Sequence, residues 1–159
     1  MVPDMESSLD PSEHRRTLEV AEAAPYVGMP PSPWWVPPAF GGWFAAYLGS
    51  FAFWRESEIL FILAMVVLTG GVGAFLGWYS RRHGALPVPG RGNPPPEIRG
   101  EYRRYAVGVL VIVGAVAAVW WWAGLLVACL AAFVLVTAGL SLYQVRYERA
   151  AATVRERLA

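Results

Sequence analysis

Few residues in this 159-residue chain are of types that do chemistry, so their positions are informative. Haem or metal ligation needs His, Met or Cys at a suitable depth in the fold. The two histidines are His14, in a polar N-terminal stretch, and His83, directly after Arg81 and Arg82. Neither is placed for an intramembrane haem. The single cysteine, Cys129, sits between Ala128 and Leu130 with no second thiol for a disulfide or a metal site, and reads as a small apolar core residue. Ion or proton transport calls for ionisable groups within apolar spans. The nearest charges, Arg55, Glu56 and Glu58, fall between two apolar segments and read as a charged turn, or more sharply as a contact with a partner subunit. Thr69 and Thr137 are thin support for a transporter, which would need polar or broken-helix elements at the midplane. The stretch "GGVGAFLG" (Gly70 to Gly77) superficially matches a nucleotide fingerprint, but no strand precedes it and its surroundings are apolar. No triad, carboxylate pair or phosphate loop is present. The expectation is a non-catalytic chain that binds no cofactor, nucleic acid or small-molecule substrate by itself.

The elements around these residues explain their scarcity. The chain is 56% hydrophobic and only 16% charged, with 8 Trp, 7 Tyr and 7 Phe. Soluble domains carry about a quarter charged residues. The composition is that of an all-α, multi-pass membrane protein. All 13 basic residues are arginine, as in proteins from GC-rich bacterial genomes, which points to a bacterial cytoplasmic membrane. Residues 1–33 form a polar, acidic tail without the apolar core of a signal peptide.

One span is plain. "ILFILAMVVLTGGVGAFLGWYS" (Ile59 to Ser80) has the roughly 20 residues that a crossing needs. Trp78, Tyr79, Arg81 and Arg82 follow in the order of a cytoplasmic interface. Before it, "WWVPPAFGGWFAAYLGSFAFW" (Trp34 to Trp54) is apolar and bounded by tryptophans. Pro37 and Pro38 suit a first helical turn, which leaves about 17 residues, the lower limit for spanning; the other reading is an interfacial helix. Ser57 can cap the helix that follows.

The run from Ala106 to Tyr143 holds no charge. As one helix it would be roughly 57 Å long, twice a bilayer's hydrocarbon thickness. Trp120, Trp121 and Trp122, followed by Ala123-Gly124, mark a turn at the water line that divides it in two. "FWRESEILFILAMVVLTGGVGAFLGWYSRR" and "VWWWAGLLVACLAAFVLVTAGLSLYQVRYER" then align as a repeat: Trp-bearing turn, long span, Tyr, arginines.

The expected architecture is two transmembrane hairpins, 34–80 and 105–143. A Pro/Gly/Arg-rich loop joins them over 81–104, and a basic helical tail follows over 144–159. Ten of the 13 arginines lie in that loop and tail. The positive-inside rule places loop, tail and both termini in the cytoplasm. Three spans is the alternative. Trp34, Trp35, Trp54, Trp78, Trp120, Trp121 and Trp122 are the expected interfacial anchors. Arg81, Arg82, Arg103, Arg104, Arg146 and Arg149 are the expected contacts to anionic lipid or to a partner. Small residues at helical spacing allow close helix approach: Gly70, Gly73 and Gly77, then Gly42/Ala46, Ala45/Gly49 and Gly114/Ala118. They suit packing within the chain or docking on a partner.

Two short hairpins, the span ending "LTGGVGAFLGWYSRR", the interfacial "PSPWW" and the turn "VWWWAGLLVACLAAFVLVTAG" resemble the small four-helix subunit IV of actinobacterial-type haem-copper cytochrome c oxidases, over roughly residues 33–149. The chain differs from them in its long acidic tail, in the prolines of its first span and in the spacing around "PSPWW". The resemblance implies a subunit without redox centres that packs on larger catalytic subunits. Haem is then expected only in those partners, and structural lipids at the interfaces. No family site residues carry over. The same features would suit an accessory subunit of a photosynthetic or alternative quinol-oxidising complex. A homo-oligomeric holin-like pore or a small transporter stands as the contrasting class.

Overall fold

A computed structural model describes residues 11–28, 33–83 and 94–158. These residues are helical and contain no strand: α1 Pro11–Val27, α2 Val36–Gly49, a 3₁₀ segment Ser50–Trp54, α3 Glu58–His83, α4 Pro96–Ala123 and α5 Leu125–Leu158. Much of the loop expected over 81–104 falls outside the described residues.

Three helices, α3, α4 and α5, are long and apolar enough to cross a membrane. The segment expected as the first span is built differently. α2 has 14 residues and tightens into the 3₁₀ segment, so no single α-helix there reaches spanning length. Pro37 lies in its first turn, where a missing N–H costs nothing. At its other end the Ser50 hydroxyl donates to the Tyr47 carbonyl at 2.7 Å, and the chain winds more tightly. Helix and 3₁₀ segment together extend about 30 Å.

The helices line up in the order α3, α2, α5, α4, with α2–α5 and α4–α5 the main interfaces. Neighbours run antiparallel. Tyr105 meets Tyr143 at 4.8 Å between ring centroids and Tyr102 meets Tyr147 at 6.3 Å, which fixes the register of α4 on α5. On the other side of α5, Gly41 abuts Phe133 and Thr137, while Gly49 lies by Cys129. Phe51 of the 3₁₀ segment reaches Trp120 at 5.8 Å. The segment Val36–Trp54 therefore accompanies α5 along most of the apolar length of that helix. α3 returns along α2 through Phe51–Phe61 and Phe40–Phe75.

Two turns reverse the chain at one end. Between the 3₁₀ segment and α3, Ser57 caps as expected, its hydroxyl accepting from the Leu60 N–H at 3.4 Å. Between α4 and α5 a single residue intervenes. Gly124 adopts φ 85°, ψ 175°, and its N–H donates to the Trp120 carbonyl at 3.1 Å. The apolar run is thus broken where the three tryptophans stop.

The opposite end carries the arginines, and most of the buried apolar core lies there, outside the apolar run. Ala23 and Tyr26 of α1, Ile98 of α4, and Ala151 and Val154 of α5 are buried. α1 is tied to the end of α5 by the Tyr147 hydroxyl donating to the Tyr26 carbonyl at 2.9 Å and by Arg16 donating to the Leu158 carbonyl at 3.4 Å. The part of the acidic tail that forms α1 thus folds on α5. Along the apolar lengths the surface is inverted relative to a water-soluble protein. Ile59, Leu60, Ile62, Leu63, Val66 and Val67 of α3 are all exposed. Each such side chain would gain about 1.5–3 kcal/mol on leaving water, a gain that lipid tails supply.

Candidate packing faces and an arginine-lined cleft

Two kinds of small residue emerge. The first makes contacts inside the chain. A Cβ placed on Gly41 would collide with Thr137 Oγ1 and stand 2.8 Å from the Phe133 carbonyl oxygen. A Cβ on Gly139 would lie 2.9 Å from Ile112 Cδ1. Ala128 and Ala132 of α5 are buried. These residues bring α2, α5 and α4 together. The sequence pattern that marks them is Gly41, Ala45 and Gly49, one residue out of step with the Gly42/Ala46 pair.

The second kind touches nothing. Gly42, Gly70, Gly73, Gly77 and Gly114 each have open space where a Cβ would point, and Ala46 and Ala118 are exposed. On α3 the arrangement is directional. Its α2-facing side is set by Phe61, Phe75 and Met65, whose sulfur lies 3.5 Å from the Ser50 hydroxyl. By the 3.6-residue period, Gly70, Gly73 and Gly77 lie on the far side. The result is a smooth apolar face, flanked by Ile59, Leu63 and Val66, with no neighbour among the described residues.

One polar contact holds α3 to α2. The Trp43 indole N–H donates to the Leu68 carbonyl at 3.0 Å. Trp43→Phe keeps the ring and removes the donor. The expected loss is about 0.5–1.5 kcal/mol, the range for interhelical hydrogen bonds in membranes, read as earlier separation of α3 in detergent unfolding titrations.

Apart from Trp43, the tryptophans form two groups at the two ends. Trp54, Trp120, Trp121 and Trp122 lie by the turns, with Trp121 and Trp122 each 88% exposed. Trp34, Trp35 and Trp78 lie at the arginine end, where Trp35 packs on Phe75 at 6.0 Å and the Arg82 guanidinium sits 5.8 Å over the Trp78 ring. Such rings suit the two interfaces of a bilayer, where an apolar body meets a polar edge.

Just beyond the apolar lengths of α4 and α5, an open cleft of about 540 Å³ separates the two helices. Glu97, Glu101 and Arg104 line it from α4; Arg146, Arg149, Ala150 and Thr153 line it from α5. Of the sequence-expected arginines it brings together Arg104, Arg146 and Arg149, whereas Arg81, Arg82 and Arg103 stand outside it and are exposed. Arg104 pairs with Glu101, and Arg157 pairs with Glu97 at 3.5 Å. No ion pair engages Arg146 or Arg149 among the described residues. Glu97 Oε2 is buried and has no hydrogen-bond partner among the described residues. Nothing in the sequence pattern marks this carboxylate oxygen, because Glu97 lies in the Pro/Gly/Arg-rich stretch 81–104.

Among the described residues, no group of three or more His, Cys, Asp or Glu side chains could hold a metal ion. The side chains of His14 and His83 lie outside the described part of the structure. Comparison with family models, with curated proteins and with solved structures found no match.

Proposed function

We propose that this chain is a non-catalytic accessory subunit of a bioenergetic membrane complex, a respiratory haem-copper oxidase or a supercomplex containing one. The observation that carries the reading is the outer face of α3. Gly70, Gly73 and Gly77 leave it smooth, it points away from α2, and none of the described residues covers it. A face of this kind lets a second helix approach closely, where dispersion contacts and Cα–H donors act at short range. A large catalytic subunit supplies such a helix.

In this reading the chain crosses the bilayer four times, with Val36–Trp54 as the short first crossing. Its support is geometric. α1 is bonded to the end of α5, so both terminal helices lie at one end of the bundle. A chain that starts and finishes on one side crosses an even number of times. With α3, α4 and α5 as three crossings, the segment beside α5 is the fourth. The arginines then place that end in the cytoplasm. The two groups of tryptophans fix the depth of the bundle, and its mechanism is mechanical: it braces its neighbour.

The test is purification through a tag on the full chain in mild detergent, with an absorption spectrum and mass spectrometry of the product. Haem Soret and α bands, with large oxidase subunits at a fixed ratio, are expected. A colourless homo-oligomer would contradict the proposal and favour a pore or transporter.

A further inference from the structure

We infer that the cleft between α4 and α5 is a binding site for one anionic phospholipid whose headgroup combines a phosphodiester with hydroxyl donors, as in phosphatidylglycerol. The inference rests on the crossing arrangement proposed above, though not on the identity of any complex.

Depth comes first. Tyr105 and Tyr143 pair at the edge of the uncharged run, and the cleft begins with the very next residues, Arg104 on α4 and Arg146 just beyond Tyr143 on α5. From there it extends roughly two helical turns, the thickness of a headgroup layer. Its volume falls within the roughly 300–1,000 Å³ range of small-ligand sites. Acyl chains leaving it would run down the exposed apolar sides of α4 and α5, past Val107, Val111 and Leu142.

Charge comes second. Two of the cleft's charges cancel in the Arg104–Glu101 pair, and Glu97 is met from the rim by Arg157. Arg146 and Arg149 remain, one turn apart on the same face of α5. Guanidinium groups so placed form charge-assisted hydrogen bonds to one phosphate. The surplus positive charge disfavours a zwitterionic headgroup relative to an anionic one.

The third observation narrows the chemistry. Glu97 Oε2 is buried without a donor, and such an atom is costly unless something donates to it. A phosphodiester cannot, because it carries no proton and only accepts. A glycerol hydroxyl beside the phosphate can. The cleft offers donors for the anion, and a turn of the Glu97 side chain, which also lines it, would bring the carboxylate round as an acceptor for the polyol.

The experiment is native mass spectrometry of the purified full chain in detergent. It is titrated with phosphatidylglycerol, phosphatidylmethanol, phosphatidylethanolamine or phosphatidylcholine, and separately with free glycerophosphoglycerol. Phosphatidylglycerol is expected to bind at one site per chain, tighter than phosphatidylcholine by roughly tenfold or more. Arg146→Gln with Arg149→Gln is expected to remove that preference, and Arg81→Gln with Arg82→Gln to keep it. Glu97→Gln gives the sharpest contrast. It makes the cleft more positive, so simple electrostatics calls for tighter binding of every anionic lipid. The proposed site calls instead for loss of the preference for phosphatidylglycerol over phosphatidylmethanol, an anionic phosphodiester without a hydroxyl donor. Helix content by circular dichroism verifies that each variant is folded. Equal weakening by the Arg81/Arg82 pair, tighter phosphatidylglycerol binding in Glu97→Gln, or free headgroup binding as tightly as lipid would each overturn the inference. Because no partner protein is involved, failure here leaves the accessory-subunit reading intact, and the reverse also holds.

Discussion

Gly41→Ala should destabilise the folded bundle by about 1–3 kcal/mol, whereas Gly42→Ala, one residue away, should be neutral or stabilising by up to about 1 kcal/mol. Both glycines are in α2 and carry the same intrinsic preference for alanine. They differ in surroundings. A methyl group at residue 41 meets Thr137 Oγ1 and the Phe133 carbonyl oxygen. The hydroxyl can rotate away; the carbonyl belongs to the α5 backbone and cannot. Relief requires α2 to slide outward along its largest interface. At residue 42 a methyl meets nothing within 4 Å. Thermal unfolding in detergent, followed by circular dichroism or by size-exclusion retention, distinguishes the two. Combining Gly41→Ala with Thr137→Ala should recover part of the loss, since one of the two collisions is removed. That non-additivity would identify the contact as the cause.

Gly124→Ala should cost a comparable amount, about 1–3 kcal/mol, for a different reason. At φ 85°, ψ 175° the backbone occupies a region that is essentially reserved for glycine. It is the only positive-φ residue among those described. A side chain there strains the one-residue link between α4 and α5. The easiest relief is to unwind the last turn of α4, which moves Trp120 away from Phe51. The expected signs are a lower unfolding midpoint and an altered tryptophan emission spectrum. Gly114→Ala is the control: it lies within α4, has open space around it, and should leave the emission spectrum unchanged and the midpoint unchanged or slightly higher.

These two glycines also show what the sequence makes legible. The turn at Gly124 is readable because three physical signals coincide: a run twice too long for one crossing, consecutive interfacial tryptophans, and a small flexible residue after them. The Ser57 cap is readable from local chemistry alone. Gly41 is harder. "GG" at 41–42 contains one packing glycine and one open one, and a small-residue pattern cannot choose between them, because the choice depends on how α2 is rotated against α5. The same holds for α3. Its glycines are visible in sequence, but whether they meet α2 or face away follows from Phe61, Met65 and Phe75 occupying the α2 side. The four-span expectation met an α2 of 14 residues, too short to qualify by α-helical length, which passes into a 3₁₀ segment at Ser50. The cleft was least legible. Its arginines were recognisable as interfacial, but their meeting with Glu97 requires the antiparallel register of α4 on α5, which a sequence does not display.

The link from this structure to the proposed function runs through one surface, the glycine face of α3. The most direct measurement is therefore the stoichiometry of haem-bearing subunits recovered with the tagged chain, compared between the natural sequence and the pair Gly73→Leu, Gly77→Leu. The leucines point into open space, so helix content and unfolding midpoint should hold or rise slightly. The account expects the fixed ratio of large subunits to collapse in the variant. Recovery of those subunits at the full ratio, with the leucines in place, would contradict it.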